Sequence, residues 1–333
     1  MDASKTVGMI FLPLIGINEA TVTAHAKAGF GNQSIDVYMT LDATGSMHNG
    51  CNSSENDTDG TCPIKEAKDA ANALINTLIG ATPTGYTVVG AGAFRGCYNL
   101  PRNNVKCIDA TPPGSMIAGL TSNKTTLQTG ISNIYAIKGP GQPTGGSGTN
   151  ICLALKKGQQ VLLPASMGGQ AAVPPAHDSP NTRRYMILLT DGDNVYNATE
   201  VNQSSPQSPE SPCRPSSPST NDADRSPNCR TAGNTAQARK VDTLSNNMAN
   251  TLKGQNVEIY VVGLSPCAHD NNLCDLTKIG TALSDAARNE NLLKCIASST
   301  TGTNDHYFFT TTAASLPTIF TTIANQIAHR LVE

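Results

Sequence analysis

The 333-residue sequence has no cluster of Lys or Arg, and its 23 basic residues against 25 acidic ones leave a formal charge of −2. No strong phosphate-attracting field can arise from that balance, which argues against a nucleic-acid partner. Charged residues are scarce at 14%, so the polar surface must come from Asn, Ser, Thr and Gly, as is common in secreted and surface proteins. The apolar stretch 7–17 is broken by Gly8, Pro13 and Gly16 and falls short of the ~20 residues that cross a bilayer. The opening "MDASKTVGMIFLPLIGI" also lacks the basic segment and small-residue cleavage site of a signal peptide.

The usual marks of catalysis are missing as well. No G-x-S-x-G elbow or Walker loop occurs, and the six histidines are scattered without an H-E-x-x-H pairing. "GAGAFRG" offers Gly90, Gly92 and Gly96 after a strand, but "CYNLPRN" follows where a dinucleotide-binding helix should begin. No residue is placed to activate water or shuttle protons. A non-enzymatic role is expected.

Cysteine, by contrast, is plentiful. Ten are present, in close pairs (Cys51 with Cys62, Cys97 with Cys107, Cys213 with Cys229) and a cluster of Cys267, Cys274 and Cys295, none with the paired C-x-x-C spacing of zinc. Disulfides fit this pattern, which puts the chain outside the reducing cytosol. Cys152 has no near neighbour, so either one bridge is long-range or one thiol is free. An exported chain without an export signal suggests a fragment whose missing part lay upstream, and any membrane anchor would sit there.

Hydrophobic periodicity predicts alternating strands and helices. Residues 18–30 alternate polar and apolar as a half-buried strand, and "SIDVYMTLD" (34–42) is a sheet-centre strand. A helix opens at Pro63 and ends at Gly80, with Ile64, Ala67, Ala71, Leu74, Ile75 and Leu78 as its stripe. Strands follow at 86–94, 184–192, 257–264 and 306–311. Helices follow at 149–163, 235–254, partly over 275–297, and at 315–332, while 95–125 reads as a loop-rich or hairpin region. This order implies right-handed crossovers and a mostly parallel α/β sheet with helices on both faces. We expect a strand-rich extension over 1–34 and one domain over 35–333. The latter carries a Pro/Ser-rich surface insert at 203–220, where Pro206, Pro209, Pro212, Pro215 and Pro218 keep the three-residue period of polyproline II. That insert reads as a solvated loop tethered by Cys213 in preference to a proline-recognition ligand.

In an open parallel sheet, ligands collect beyond the carboxyl ends of the strands. "VYMTLDATGSM" places Asp42, Thr44 and Ser46 at one such end, and "LLTDGDN" places Asp191 at another. "GGSGTN" leads into a helix with Thr149. Two carboxylates and three hydroxyls form an all-oxygen donor set suited to Mg²⁺, Mn²⁺ or Ca²⁺. Each piece alone has a plainer reading, since Asp and Ser after a strand cap helices and Thr149 could be an N-cap.

Taken together, the three segments resemble the von Willebrand factor A domain, whose metal-ion-dependent adhesion site uses D-x-S-x-S, a Thr before a helix, and T-D-G. By that resemblance the ligands are Asp42, Thr44, Ser46, Thr149 and Asp191, with Thr44 standing where the family has Ser. It implies a Rossmann-like fold and a cation whose open coordination position takes an Asp or Glu carboxylate from a partner. Residues 7–47 further resemble the lead-in of TadG-type proteins of the bacterial Tad (Flp) pilus system, which implies a pilus-associated or cell-surface location. The expected role is extracytoplasmic adhesion or pilus assembly. The alternative is a structural subunit of a surface filament, paired with neighbouring subunits, in which the ion is only structural. "ENDTDGTCPIKE" also sets Glu55, Asp57, Asp59 and Glu66 at calcium-loop positions. A solvated acidic insert closed by Cys51 and Cys62 explains that segment better.

Overall fold

In the computed structural model the described residues are 2–8, 19–25, 34–48, 51, 62–81, 86–94, 116–132, 134, 136, 149–167, 169, 177–191, 236–264, 269–281 and 285–330. The chain begins with β1 (Asp2–Gly8) and β2 (Glu19–His25), an antiparallel two-stranded sheet running from Asp2↔His25 to Gly8↔Glu19. β2 falls inside the strand expected over 18–30. β1 does not follow from hydropathy, because "DASKTVG" has little apolar content to read.

The main sheet is built from β3 (Ile35–Asp42), β4 (Thr87–Phe94), β5 (Met116–Thr121), β6 (Arg183–Thr190), β7 (Val257–Leu264) and β8 (Tyr307–Thr310), in the order β5-β4-β3-β6-β7-β8. All neighbouring pairs are parallel except β4–β5. The helices between them are α1 (Pro63–Ala81), α2 (Lys124–Ser132), α3 (Ile151–Leu162), α4 (Ala236–Gly254), α5 (Asp285–Ile296) and α6 (Leu316–His329). Among the described residues no helix is long and apolar enough to cross a membrane.

Two cores flank the sheet because successive strand residues face opposite ways. Val37, Met39 and Leu41 of β3, with Tyr185, Ile187 and Leu189 of β6, pack against α1, α2 and α6. Tyr38, Met186, Leu188, Ile259 and Val261 pack on the other side against α3, α4 and α5. With helices on both faces, β3 is buried along its whole length, which explains why Ile35, Val37, Tyr38, Met39 and Leu41 supply apolar side chains to both sides. Close approach is needed where α3 crosses β6. A Cβ on Gly158 would lie 2.4 Å from Met186 Sδ, so any larger residue there would have to displace the end of the Met186 side chain.

The sheet is thus the Rossmann-like, mostly parallel arrangement the sequence implies. The region expected to be loop or hairpin over 95–125 contributes β5, a strand antiparallel to β4, and is followed by α2. Cys51–Cys62 and Cys274–Cys295 are disulfides, as the first pair and the cluster suggested. Cys152 is also disulfide-bonded. The insert at 203–220, Cys97, Cys107, Cys213, Cys229 and Cys267 lie outside the described residues.

Candidate metal centre at the sheet crevice

The chain leaves β3 for β4 on one side and returns to β6 on the other, so the strand order reverses around β3. A crevice opens at such a reversal, beyond the carboxyl ends of the two strands. Asp42 is the last residue of β3, and Asp191 follows the last residue of β6.

The backbone holds the turn after β3 firmly. Ala43 N donates to Phe94 O at 2.9 Å, extending the ladder with β4, and Met47 N donates to Thr44 O at 3.1 Å. The Met47 side chain is fully buried in the core, and the Cys51–Cys62 bridge ties the following segment to the start of α1. Thr44 and Ser46 are fixed between these anchors.

Four of the five expected residues come together. Ser46 Oγ donates to Asp191 Oδ1 at 2.8 Å, and Thr44 Oγ1 and Ser46 Oγ are 2.9 Å apart. A hydroxyl has one proton. That of Ser46 is directed at Asp191, and the three side chains form a continuous relay of Thr44, Ser46 and Asp191. Asp42 is held at both oxygens: Oδ1 accepts from Thr44 N at 2.9 Å and Oδ2 from Thr190 Oγ1 at 2.6 Å.

Thr149 is buried and lies one residue before the cap of α3. The cap itself is Asn150, whose side chain accepts from Leu153 N at 3.2 Å. Thr149 is therefore not the N-cap, and among the described residues it makes no hydrogen bond to the other four. Of the calcium-loop residues, Glu55, Asp57 and Asp59 lie outside the described residues. Glu66 lies in the first turn of α1, 3.8 Å from Lys65 Nζ.

Thr190 is the residue that sequence reasoning missed. It reads as the final strand residue of "RYMILLTDG", yet its hydroxyl orients Asp42 from the adjacent strand. The register shows why: Leu41 pairs with Leu189, and the next step sets Asp42 beside Thr190.

Burial pushes the Asp42 carboxyl up, against the hydrogen bonds from Thr190 and Thr44 that hold it down. Asp191 is raised well above the ordinary carboxylate range, first by burial and then by the charge of Asp42. Among the described residues neither carboxylate forms a salt bridge, and no three His, Cys, Asp or Glu side chains cluster as a metal site. Any cation here must rely on hydroxyl as well as carboxylate oxygens. The donor set fits one, since the Thr44 and Ser46 hydroxyl oxygens stand beside two acidic side chains that have no salt-bridge partner among the described residues.

This sheet order, with its oxygen-rich crevice at the reversal, is the von Willebrand factor A type of fold. The PilB minor pilin from Streptococcus sanguinis shares it at 16% identity and a TM-score of 0.53, over 95% of this chain and 66% of that one. The pilus adhesin SpaC from Lactobacillus rhamnosus GG does so at 16% identity and 0.52, over 90% of this chain and 31% of that one. The vWF domain of the type V pili tip protein Mfa5 from Porphyromonas gingivalis matches at 16% identity and 0.50, over 90% and 97%. The chain thus spans less than two thirds of the PilB and SpaC chains. At such identities the likeness establishes the fold. No family model and no curated protein matches the chain.

Proposed function

We propose that this chain is an extracytoplasmic protein-binding module, used in adhesion or pilus assembly, whose binding depends on a divalent cation. The observation that carries it is the Thr44–Ser46–Asp191 relay across β3 and β6, beside Asp42. Asp42, Thr44, Ser46 and Asp191 would hold the ion, with Thr149 contributing from the third loop. The all-oxygen set favours Mg²⁺, Mn²⁺ or Ca²⁺. When bound, the ion supplies a fixed positive charge with a coordination position open to a partner's Asp or Glu carboxylate.

Three considerations support the reading. The buried like-charged pair is unfavourable without a cation. The disulfides suit an oxidising, extracytoplasmic location. PilB, SpaC and Mfa5 are pilus proteins by their own descriptions, in keeping with a pilus-associated, TadG-like role. Titration calorimetry with Mg²⁺, Mn²⁺ and Ca²⁺ tests the site. Saturable binding that Asp42→Ala removes is expected, and equal binding by variant and parent defeats the assignment.

The second reading, a structural subunit, draws on β1–β2, which pair as a sheet of their own. Stable self-assembly in the presence of chelator would favour it.

A further inference from the structure

At the opposite, amino-terminal edge of the sheet lies a cavity of about 580 Å³ between the start of β6, the residues before β8 and one side of α6. Its volume is in the range of small-molecule sites. Asn325, Gln326 and His329 line it from α6, with Arg330 at the helix end, and Arg183 and His306 face them.

The carboxylates nearby are already committed. Glu258 accepts from His306 Nε2 at 2.5 Å and from Arg330 Nη1 at 2.8 Å. Asp305 Oδ1 accepts from Thr300 N and His306 Nδ1, each at 2.9 Å, and its Oδ2 accepts from Thr300 Oγ1 at 2.8 Å. Both nitrogens of His306 thus meet carboxylates, which makes the ring a donor twice over and keeps it charged. Burial alone would lower its pKa, but Glu258 and Asp305 raise it above the ordinary value. Two carboxylates, Glu258 and Asp305, therefore stand against three cations, Arg183, His306 and Arg330, before His329 is counted. Arg183 has no carboxylate partner among the described residues. Its guanidinium stands beside the buried Tyr185 hydroxyl, a neutral group that leaves the charge uncompensated.

We propose that this cavity is a binding site for a small oxyanion, carboxylate or phosphate, held by the Arg183 guanidinium and the side-chain amides of Asn325 and Gln326. A guanidinium fork matches two oxygens of such a group, and amide N–H groups supply neutral donors on the other side. The site lies at the other edge of the sheet from the Asp42–Asp191 crevice and is independent of it.

Titration calorimetry on the full chain at low salt, with inorganic phosphate in one arm and citrate in the other, tests the proposal. Saturable binding of either is expected, the arm that binds identifying the oxyanion. Arg183→Gln should weaken it about tenfold or more, as loss of a charge-assisted hydrogen bond does, with an unchanged melting temperature. No saturable binding in either arm, or equal affinity in folded R183Q, overturns it. Should R183Q fail to fold, Asn325→Asp puts a negative charge on an exposed helix position. Loss of binding there supports the site, and retained binding refutes it.

Discussion

Replacing Asp191 by Asn should stabilise the cation-free protein and destabilise the cation-loaded one, relative to the parent. The amide oxygen still accepts from Ser46, so the relay survives while one buried charge disappears. Both carboxyls have folded pKa values raised above their unfolded ones, Asp191 by burial and by Asp42. An acid raised in this way contributes fully below its unfolded value and loses that contribution as pH rises through the folded value. Variant and parent should therefore agree near pH 4 and diverge towards neutrality. Like charges interact by about 4 kcal/mol at 4 Å and an effective dielectric of about 20, less at longer range, so the relief is on the order of 1–3 kcal/mol. In a domain of this size that is a rise of roughly 2–10 °C. Mg²⁺ at about 100 times its Kd should stabilise the parent by ~2.7 kcal/mol and leave the variant unmoved. Melting curves followed by circular dichroism, in chelator and in Mg²⁺ across pH 4–8, give all four quantities. The reasoning fails if D191N melts no higher than the parent in chelator at pH 7, or if Mg²⁺ raises both equally.

Thr190→Val keeps the shape but removes the 2.6 Å donor to Asp42 Oδ2. It should lower cation affinity about 10–100-fold, as loss of a supporting hydrogen bond does, while Thr190→Ser retains affinity in calorimetry. Converting both Cys274 and Cys295 to Ser should cost ~2–5 kcal/mol in urea denaturation, and an unchanged midpoint would contradict a structural role for that bridge. Glu258→Gln takes one carboxylate from His306, whose raised pKa should fall towards its ordinary value in a ring-proton NMR titration. A raised His contributes fully below its unfolded pKa and loses that contribution as pH rises through the folded one. The parent's advantage over E258Q should therefore be largest below about pH 6.5 and shrink above it.

Central elements were legible because burial on both faces favours apolar residues: β3, β6 and β7 are rich in them, with Asp36 and Thr40 as the polar exceptions inside β3, and α1 and α6 keep helical stripes. Peripheral ones were harder to see. α2 buries only Leu127 and Ile131, four positions apart, too few for a periodic signal, and β5 is a sheet-edge strand after a loop-like stretch. At the crevice, Asp42, Thr44, Ser46 and Asp191 were readable from motif and position. Thr190 was not, since a residue's partner across a sheet depends on strand register, which one strand's sequence does not contain. α3 begins two residues later than the helix expected from 149, and its cap is Asn150, so the plainer reading of Thr149 as an N-cap does not hold.

Asp42 and Thr190 are joined by consecutive rungs of the same ladder, Leu41↔Leu189 being the last paired step. The spacing of the two acids is consequently inherited from main-chain geometry and not negotiated by the connecting segments. Residues beyond Ser46 and Asp191 in those segments can therefore change without altering that spacing. The rim can thus be redecorated in evolution while the pair of carboxyls keeps one separation.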